Sequence, residues 1–416
     1  MGGSAFSATK AASSFPRIPP PVYQNLKTRF LTKISELYNY VGVPVEAPEK
    51  VDHGDIDFLV AFPKAPFTNL VNIPHHVVKS AIDAEFMVTM DGNRTSNYAV
   101  PIRCTEWQPF GFQVDEDKRR SDAEDNEIFY QVDVHVCESK NEWDRIMFYH
   151  SYGDLGMILG LIARNMGLKL GTSGLHLLDH PNTHYLLSTE FDDILKFLGL
   201  SKEVFDRGFN TKRQVFEWAA SCKYYDPVRF KTSGQGIRKV KMDRRMYYEF
   251  VEWVRQGRGE SDLSEDEDES ADQLLLDVKA NKAREEALLY FGKKEEYDAV
   301  VRERDGRKRL KEVFTGSVVR DWTKLGGNWK AIKLIVDEVR QRLGGEEGVL
   351  AFWEKSGIDK LREYVLEVQA SLGDVAAAKR SSPTSGNGLV ASVGSLTLVE
   401  ASQEEQTLKQ IPTVTL

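Results

Sequence analysis

The segment best equipped for chemistry is His53-Gly54-Asp55-Ile56-Asp57-Phe58-Leu59-Val60. Alternate residues of a strand project from one face. Asp55 and Asp57 therefore aim their carboxylates into one space, while Ile56 and Phe58 turn to the other side. Gly54 lets the chain turn tightly into the strand without a Cβ. Two adjacent carboxylates repel unless a proton or a cation lies between them, and a hard, oxygen-seeking ion such as Mg²⁺ suits such a pair. A second strand pattern, IFYQVDVHVC at 128–137, sets Val132, Val134 and Val136 on one face and Asp133, His135 and Cys137 on the other. A carboxylate in mid-strand among valines is costly unless it is solvated, paired or metal-bound. Brought beside the first pair, Asp133 would complete a two-metal site, the kind that orients a triphosphate, activates a hydroxyl and stabilises an in-line displacement. Taken singly, GDID occurs at many strand entries, and Asp133 reads equally as a solvent-face residue of an edge strand. The chemistry needs the two strands to be neighbours.

The elements around these residues can be read from periodicity. Residues 1–22 are Pro-, Ser- and Ala-rich and are expected to be disordered. Helical spacing follows over 25–41 (Leu26, Phe30, Ile34, Leu37), closed by a loop containing Gly42, Pro44 and Pro48. Strands are expected at 58–62, 85–90, 99–104 and 128–137, and a short helix at 74–83. Asp91-Gly92-Asn93 makes a turn, and the acidic stretch 115–127 reads as a loop. The pattern at 154–166 is helical, with Gly167 as its stop. After Tyr185 the reading is helical, at 191–198, 212–221, 244–255 and again from 273 to 372. Strands and helices without regular βαβ alternation predict an α+β domain on a small mixed sheet.

Composition narrows the classes. The 416 residues give room for two domains. No apolar run approaches the roughly 18–20 residues that span a bilayer, and residues 1–23 have no apolar signal core. A soluble intracellular protein, cytoplasmic or nuclear, is expected. Cys104, Cys137 and Cys222 lie far apart, which argues against a disulfide framework or structural zinc. The net charge of −8 does not favour a nucleic-acid binder. Locally the sign reverses: Arg229, Lys231, Arg238, Lys239, Lys241, Arg244 and Arg245 make a basic segment with tyrosines around it, a candidate grip on a nucleic-acid backbone or simply a solvated face.

HGDIDFLV followed by QVDVHV resembles the nucleotidyltransferase superfamily, and within it the catalytic core of the family X DNA polymerases. That family has a GDhDh strand, a later hDh strand, an aromatic-rich turn and a helix ending in a KGL.L...GL pattern. Phe148-Tyr149-His150-Ser151 stands for the turn and residues 165–175 for the ending, and Glu190 to Leu200 is similar to the family's E.diF..LGL element. The likeness covers roughly 25–200, under half of the chain. It implies a palm domain with a small mixed sheet at 23–185 and a thumb-like helical subdomain at 186–255. An acidic linker at 256–272, a separate α-helical domain at 273–375 and a disordered tail at 376–416 complete the expected organisation.

The resemblance implies that Asp55, Asp57 and Asp133 hold Mg²⁺ or Mn²⁺, with Asp133 nearest the attacking hydroxyl. It implies an NTP or dNTP as donor, a nucleic-acid acceptor among the alternatives, and no membrane. Tyr149 falls where the family sets an aromatic beside the nucleotide sugar, although core packing is an equal reading. The family's phosphate-binding Gly-Ser is replaced by Gly42-Val43, which leaves Lys50, Arg103 and backbone N–H groups near Gly42 and Gly54 as phosphate candidates. Gly156 and Gly160 replace polar side chains that touch the incoming base and template, so transfer without template direction is expected. The alternative is a catalytically inactive member that binds nucleic acid or protein as a scaffold.

Overall fold

The computed structural model describes residues 4–89, 92, 94–179, 183–230, 244–258 and 269–380. The chain forms two compact units, Met1–Val300 and Val301–Leu416. The first is α+β. Its main sheet contains β1 (Tyr38–Gly42), β2 (Asp55–Pro63), β3 (Phe86–Val88), β4 (Thr95–Pro101) and β5 (Phe129–Cys137) in the order β1-β2-β5-β4-β3. β2 and β5 are parallel, and every other pairing is antiparallel.

Strand alternation divides the sheet into an apolar and a mixed face. Ile56, Phe58, Val60, Tyr98, Val100, Val132, Val134 and Val136 bury against Tyr23, Leu26, Phe30 and Ile34 of α1 (Pro20–Ser35) and Val78 of α2 (His75–Ala81). The mixed face is covered at both ends. Phe6 and Phe15 close over Ala99 and Phe129. Trp143, Ile146 and Met147 pack on Leu59, Ala61 and Cys137. Between these covers the polar residues of the same face remain.

Residues 4–19, expected to belong to a disordered tail, are therefore part of the folded unit. Phe6 and Phe15 stack at 5.1 Å, and Ile18 exchanges both backbone hydrogen bonds with His53, at 2.7 and 2.9 Å. The proline run does not forbid the helix. Pro20 begins α1, where a missing N–H costs nothing because that N–H has no helical partner. We expect Phe15→Ala to lower the unfolding free energy by about 3 kcal/mol, as for a buried phenylalanine elsewhere, read from urea melts. An unchanged midpoint would mean that the segment is not part of the core.

Other expectations are corrected locally. The helix read over 25–41 ends at Ser35, and the chain returns as β1, with Tyr38 buried and paired to Pro63. The acidic stretch 115–127, expected as a loop, is helical in its first part, α3 (Gln113–Asp122), and irregular after it. It turns Glu116 inward, where the carboxylate accepts from Trp107 N at 2.7 Å and Arg120 Nη2 at 3.0 Å. The aromatic turn at 148–151 is instead the end of α4 (Lys140–His150), capped at its start by Ser139 accepting from Glu142 N. α5 (Leu155–Asn165) follows at 94° to α4.

A second, antiparallel sheet comes next: β6 (Leu168–Gly171), β7 (Gly174–Leu178) and β8 (His184–Ser188). The expected boundary at 185/186 thus falls inside a strand. α6 (Phe191–Leu198), α7 (Lys202–Arg207), α8 (Lys212–Ala220), α9 (Arg245–Arg258) and α10 (Glu269–Tyr290) complete the first unit, with the start of α11 (Lys294–Val313). The expected linker at 256–272 is helical at both margins, and 259–268 lie outside the described residues. α10 belongs with the first unit, not with the C-terminal domain. Glu286 pairs with Lys223 at 2.5 Å, and Tyr290 and Phe291 close around Phe197 at 5.3 and 5.1 Å.

In the second unit, Leu310 and Phe314 pack with α12 (Gly316–Thr323), α13 (Trp329–Leu343) and α14 (Glu346–Arg380). Gly357, at φ 83° and ψ 172°, breaks α14 in two. The expected disordered tail at 376–416 is helical as far as Arg380, and 381–416 lie outside the described residues. Among the described residues no single helix is long and apolar enough to cross a membrane.

Candidate active site

Asp55 and Asp57 stand on β2, and Asp133 stands on the adjacent parallel strand β5 with Asp57 directly opposite it in register. The three carboxylates therefore share one face, in the gap between the Phe6–Phe15 cover and α4. Asp133 does not lie free. Asn97, its register partner on β4, donates from Nδ2 to Oδ1 at 2.7 Å. Gln131 donates from Nε2 to both oxygens, at 3.0 and 2.9 Å.

Proton affinities record the crowding. The Asp57 carboxyl is pushed up to about 7, first by the protein packed around it and then by the charges of Asp55 and Asp133; Lys50 acts in the opposite sense. Solvent still reaches the Asp57 side chain, so burial acts there at reduced strength and the like charges are the firmer cause. Asp133 rises to about 6, mainly by burial, held back by the Asn97 and Gln131 amides and raised further by Asp55.

Two histidines flank the row. His53 is stacked on Tyr23 with centroids 3.6 Å apart, and burial lowers its imidazole to about 4. His135 meets Thr95 Oγ1 through Nδ1 at 2.8 Å and is lowered by burial and then by Arg94. Nδ1 of His53 and Nε2 of His135 are buried with no hydrogen-bond partner among the described residues. On the β2 side, Lys27 pairs with Glu46 at 3.0 Å. Tyr23, whose hydroxyl bonds Glu46, is raised by burial and then by charges that include Asp57 and Asp55.

Three acceptor-only carboxylates on neighbouring strands are donors of the right chemistry for a hard cation. As the side chains stand, no group of three or more His, Cys, Asp or Glu among the described residues is gathered into a metal cage.

A scan of protein-family models and a search of curated proteins find no match to this chain.

The remaining expected site residues separate into near and far. Gly54 is buried at the entry to β2, and Lys50 is close enough to act on both Asp57 and His53. Gly42 lies beneath α4, where a Cβ would come 2.5 Å from Met147 Cε and 2.6 Å from Trp143 Cζ2. The glycine is thus explained by close approach of α4. Arg103 is not at the site. It lies beyond the end of β4, its N–H bonded to Glu106, and its charge is felt by Asp83. Tyr149 is half-buried on α4 against α5. A Cβ on Gly156 would meet the Tyr149 carbonyl oxygen at 2.2 Å, and one on Gly160 the Tyr149 hydroxyl at 3.3 Å. These two glycines let α5 reach Tyr149. Gly156→Ala is expected to cost about 1–3 kcal/mol by overpacking, seen as a lowered Tm; an unshifted Tm would mean that α5 does not sit so close.

Of the basic segment, Arg229 closes a short turn, Pro227–Arg229. Arg244 donates to Asp154 Oδ1 at 3.0 Å, and Arg245 is exposed at the start of α9. Lys231, Arg238, Lys239 and Lys241 lie outside the described residues. Asp154 also accepts from Tyr247 N at 3.2 Å, so it fixes the start of α9 to the start of α5. A cleft of about 610 Å³ runs along α4, α6 and α7, floored by Phe148, Phe191 and Phe205, and none of the three carboxylates lines it.

Asn97, Gln131 and His135 were not singled out from sequence as site residues. Gln131 and His135 stand two residues either side of Asp133, so strand alternation was the available signal. Asn97 had none, because its place depends on which strand pairs with β5.

Proposed function

We propose that this protein is a metal-dependent nucleotidyltransferase that moves a nucleotidyl group from an NTP or dNTP to a hydroxyl acceptor. The observation that carries the reading is the alignment of Asp55 and Asp57 with Asp133 on two adjacent parallel strands. Asp55, Asp57 and Asp133 would hold Mg²⁺ or Mn²⁺, which would supply Lewis-acid stabilisation of the α-phosphoryl group under attack and of the departing pyrophosphate, and a lowered pKa for the attacking hydroxyl. Asp133, which the resemblance sets nearest the attacking hydroxyl, is the carboxylate proposed to help lower that hydroxyl's pKa. The palm and thumb assignment belongs to the same proposal. Lys50, whose charge acts on Asp57, is the cationic group proposed to meet phosphate oxygens in the absence of a Gly-Ser.

A second reading, an inactive nucleotidyltransferase-like scaffold, is favoured by one observation: both Asp133 oxygens are already engaged by Gln131 and Asn97. Labelled NTPs and dNTPs, incubated with Mg²⁺ or Mn²⁺ and mixed hydroxyl acceptors, separate the two. Incorporation that needs the cation, with little dependence on the first unpaired template base, supports transfer. No incorporation from any nucleotide leaves the scaffold.

A further inference from the structure

The second unit carries a charge of opposite sign to the whole chain. Residues 301–380 hold seventeen Lys and Arg against thirteen Asp and Glu, in a chain whose net charge is −8. Part of the excess lies around the α12–α13 turn. Over 316–334, Arg320, Lys324, Lys330 and Lys333 face one carboxylate, Asp321, which Arg320 takes at 2.9 Å. Lys324, Lys330 and Lys333 are exposed.

In the middle of this patch Trp329 is 52% exposed, although it is the first residue of a fifteen-residue helix with a buried apolar side. Its ring is not in the core. The Arg320 guanidinium lies 5.6 Å from the ring centroid, and a Cβ on Gly316 would come 3.7 Å from Cζ3. One side of the indole is thus supported by α12. Gly326 and Gly327 precede it, both exposed and without side chains to crowd an approach.

We propose that the α12–α13 turn is a binding surface for single-stranded nucleic acid, with Trp329 stacking on an unpaired base and Lys324, Lys330 and Lys333 meeting backbone phosphates. An indole backed by a guanidinium, with exposed lysines in the same turn and helix, offers both parts of that ligand a partner: a flat apolar face for the base and positive charge for the phosphate. An acidic peptide would use the charge but leave the indole without a stacking partner. The surface needs nothing from the carboxylates of the first unit and stands or falls separately from the transfer reading.

The test uses the full chain, a fluorescein-labelled single-stranded oligonucleotide and anisotropy, in EDTA and without nucleotide, so that catalysis cannot enter. Wild type is expected to bind the single strand more tightly than the matching duplex. Trp329→Ala is expected to weaken binding by about 5- to 100-fold, the range for loss of one stacked base, and Trp329→Phe to restore most of it. Changing Lys324, Lys330 and Lys333 together to Gln is expected to lower the slope of log K against log salt by about 2. Thermal melts of each variant show whether it is folded. The proposal is overturned if wild type does not bind, if folded Trp329→Ala binds as wild type does, if duplex binds equally well, or if polyglutamate displaces the strand as effectively as unlabelled oligonucleotide.

Discussion

Asp57→Asn is expected to reduce nucleotidyl transfer on the order of a thousandfold or more, the effect of losing several kcal/mol of cation-borne stabilisation. Asp57 is the carboxylate directly opposite Asp133 and the one whose proton affinity responds to both of its neighbours. Asparagine keeps the shape and removes the charge. The loss is expected in kcat with the fold intact, measured as single-turnover transfer at saturating nucleotide. A variant that retains transfer within a few-fold would show that Asp57 does not face the reacting phosphate.

The second large effect is on stability. Asp57 at about 7 and Asp133 at about 6 both exceed the ordinary aspartate value of 3.8. Between about pH 4 and pH 7 the folded state therefore holds more protons than the unfolded state, and these two groups make unfolding easier as pH rises through that window. Below it both states are protonated and the penalty is absent; above it the penalty is complete. In the absence of divalent cation, Asp57→Asn is expected to melt a few degrees above wild type at pH 8 and level with it near pH 4. The solvent that reaches Asp57 keeps the difference small. Adding cation reverses the order, because a ligand at about a hundred times its Kd adds about 2.7 kcal/mol to wild type alone. A wild type whose Tm ignores both pH and cation would leave the crowding of these carboxylates without consequence.

Why some of this was legible in the sequence follows from the range of the forces involved. Alternation along IFYQVDVHVC is local, and it set Asp133 and the valines on opposite faces without knowledge of the fold. The helix at Phe191–Leu198 was equally local, with apolar residues on one side and Gly199 in the left-handed region to end it. What sequence did not disclose was pairing. Tyr38–Gly42 contains the strand formers Tyr38, Tyr40 and Val41, but the helical spacing read over 25–41 runs across it, and its pairing with β2 decides the outcome. The Ser-, Ala- and Pro-rich segment 1–22 is expected to be disordered, yet Phe6, Phe15 and Ile18 each find a partner more than thirty residues away. Asn97 joins the site by the same long-range route, through β4 pairing with β5. The meaning of Gly156 and Gly160 also changes once α5 is placed: they make room for Tyr149 as well as withholding a side chain.

Titration calorimetry with Mn²⁺ shows whether Asp55, Asp57 and Asp133 together form a divalent-cation site. Wild type is expected to bind at millimolar concentration or below, releasing protons near pH 6–7 as the raised carboxyls ionise, while Asp55→Asn with Asp57→Asn gives no heat and keeps its fold. No binding by wild type at millimolar Mn²⁺, or equal binding by the double variant, would contradict it.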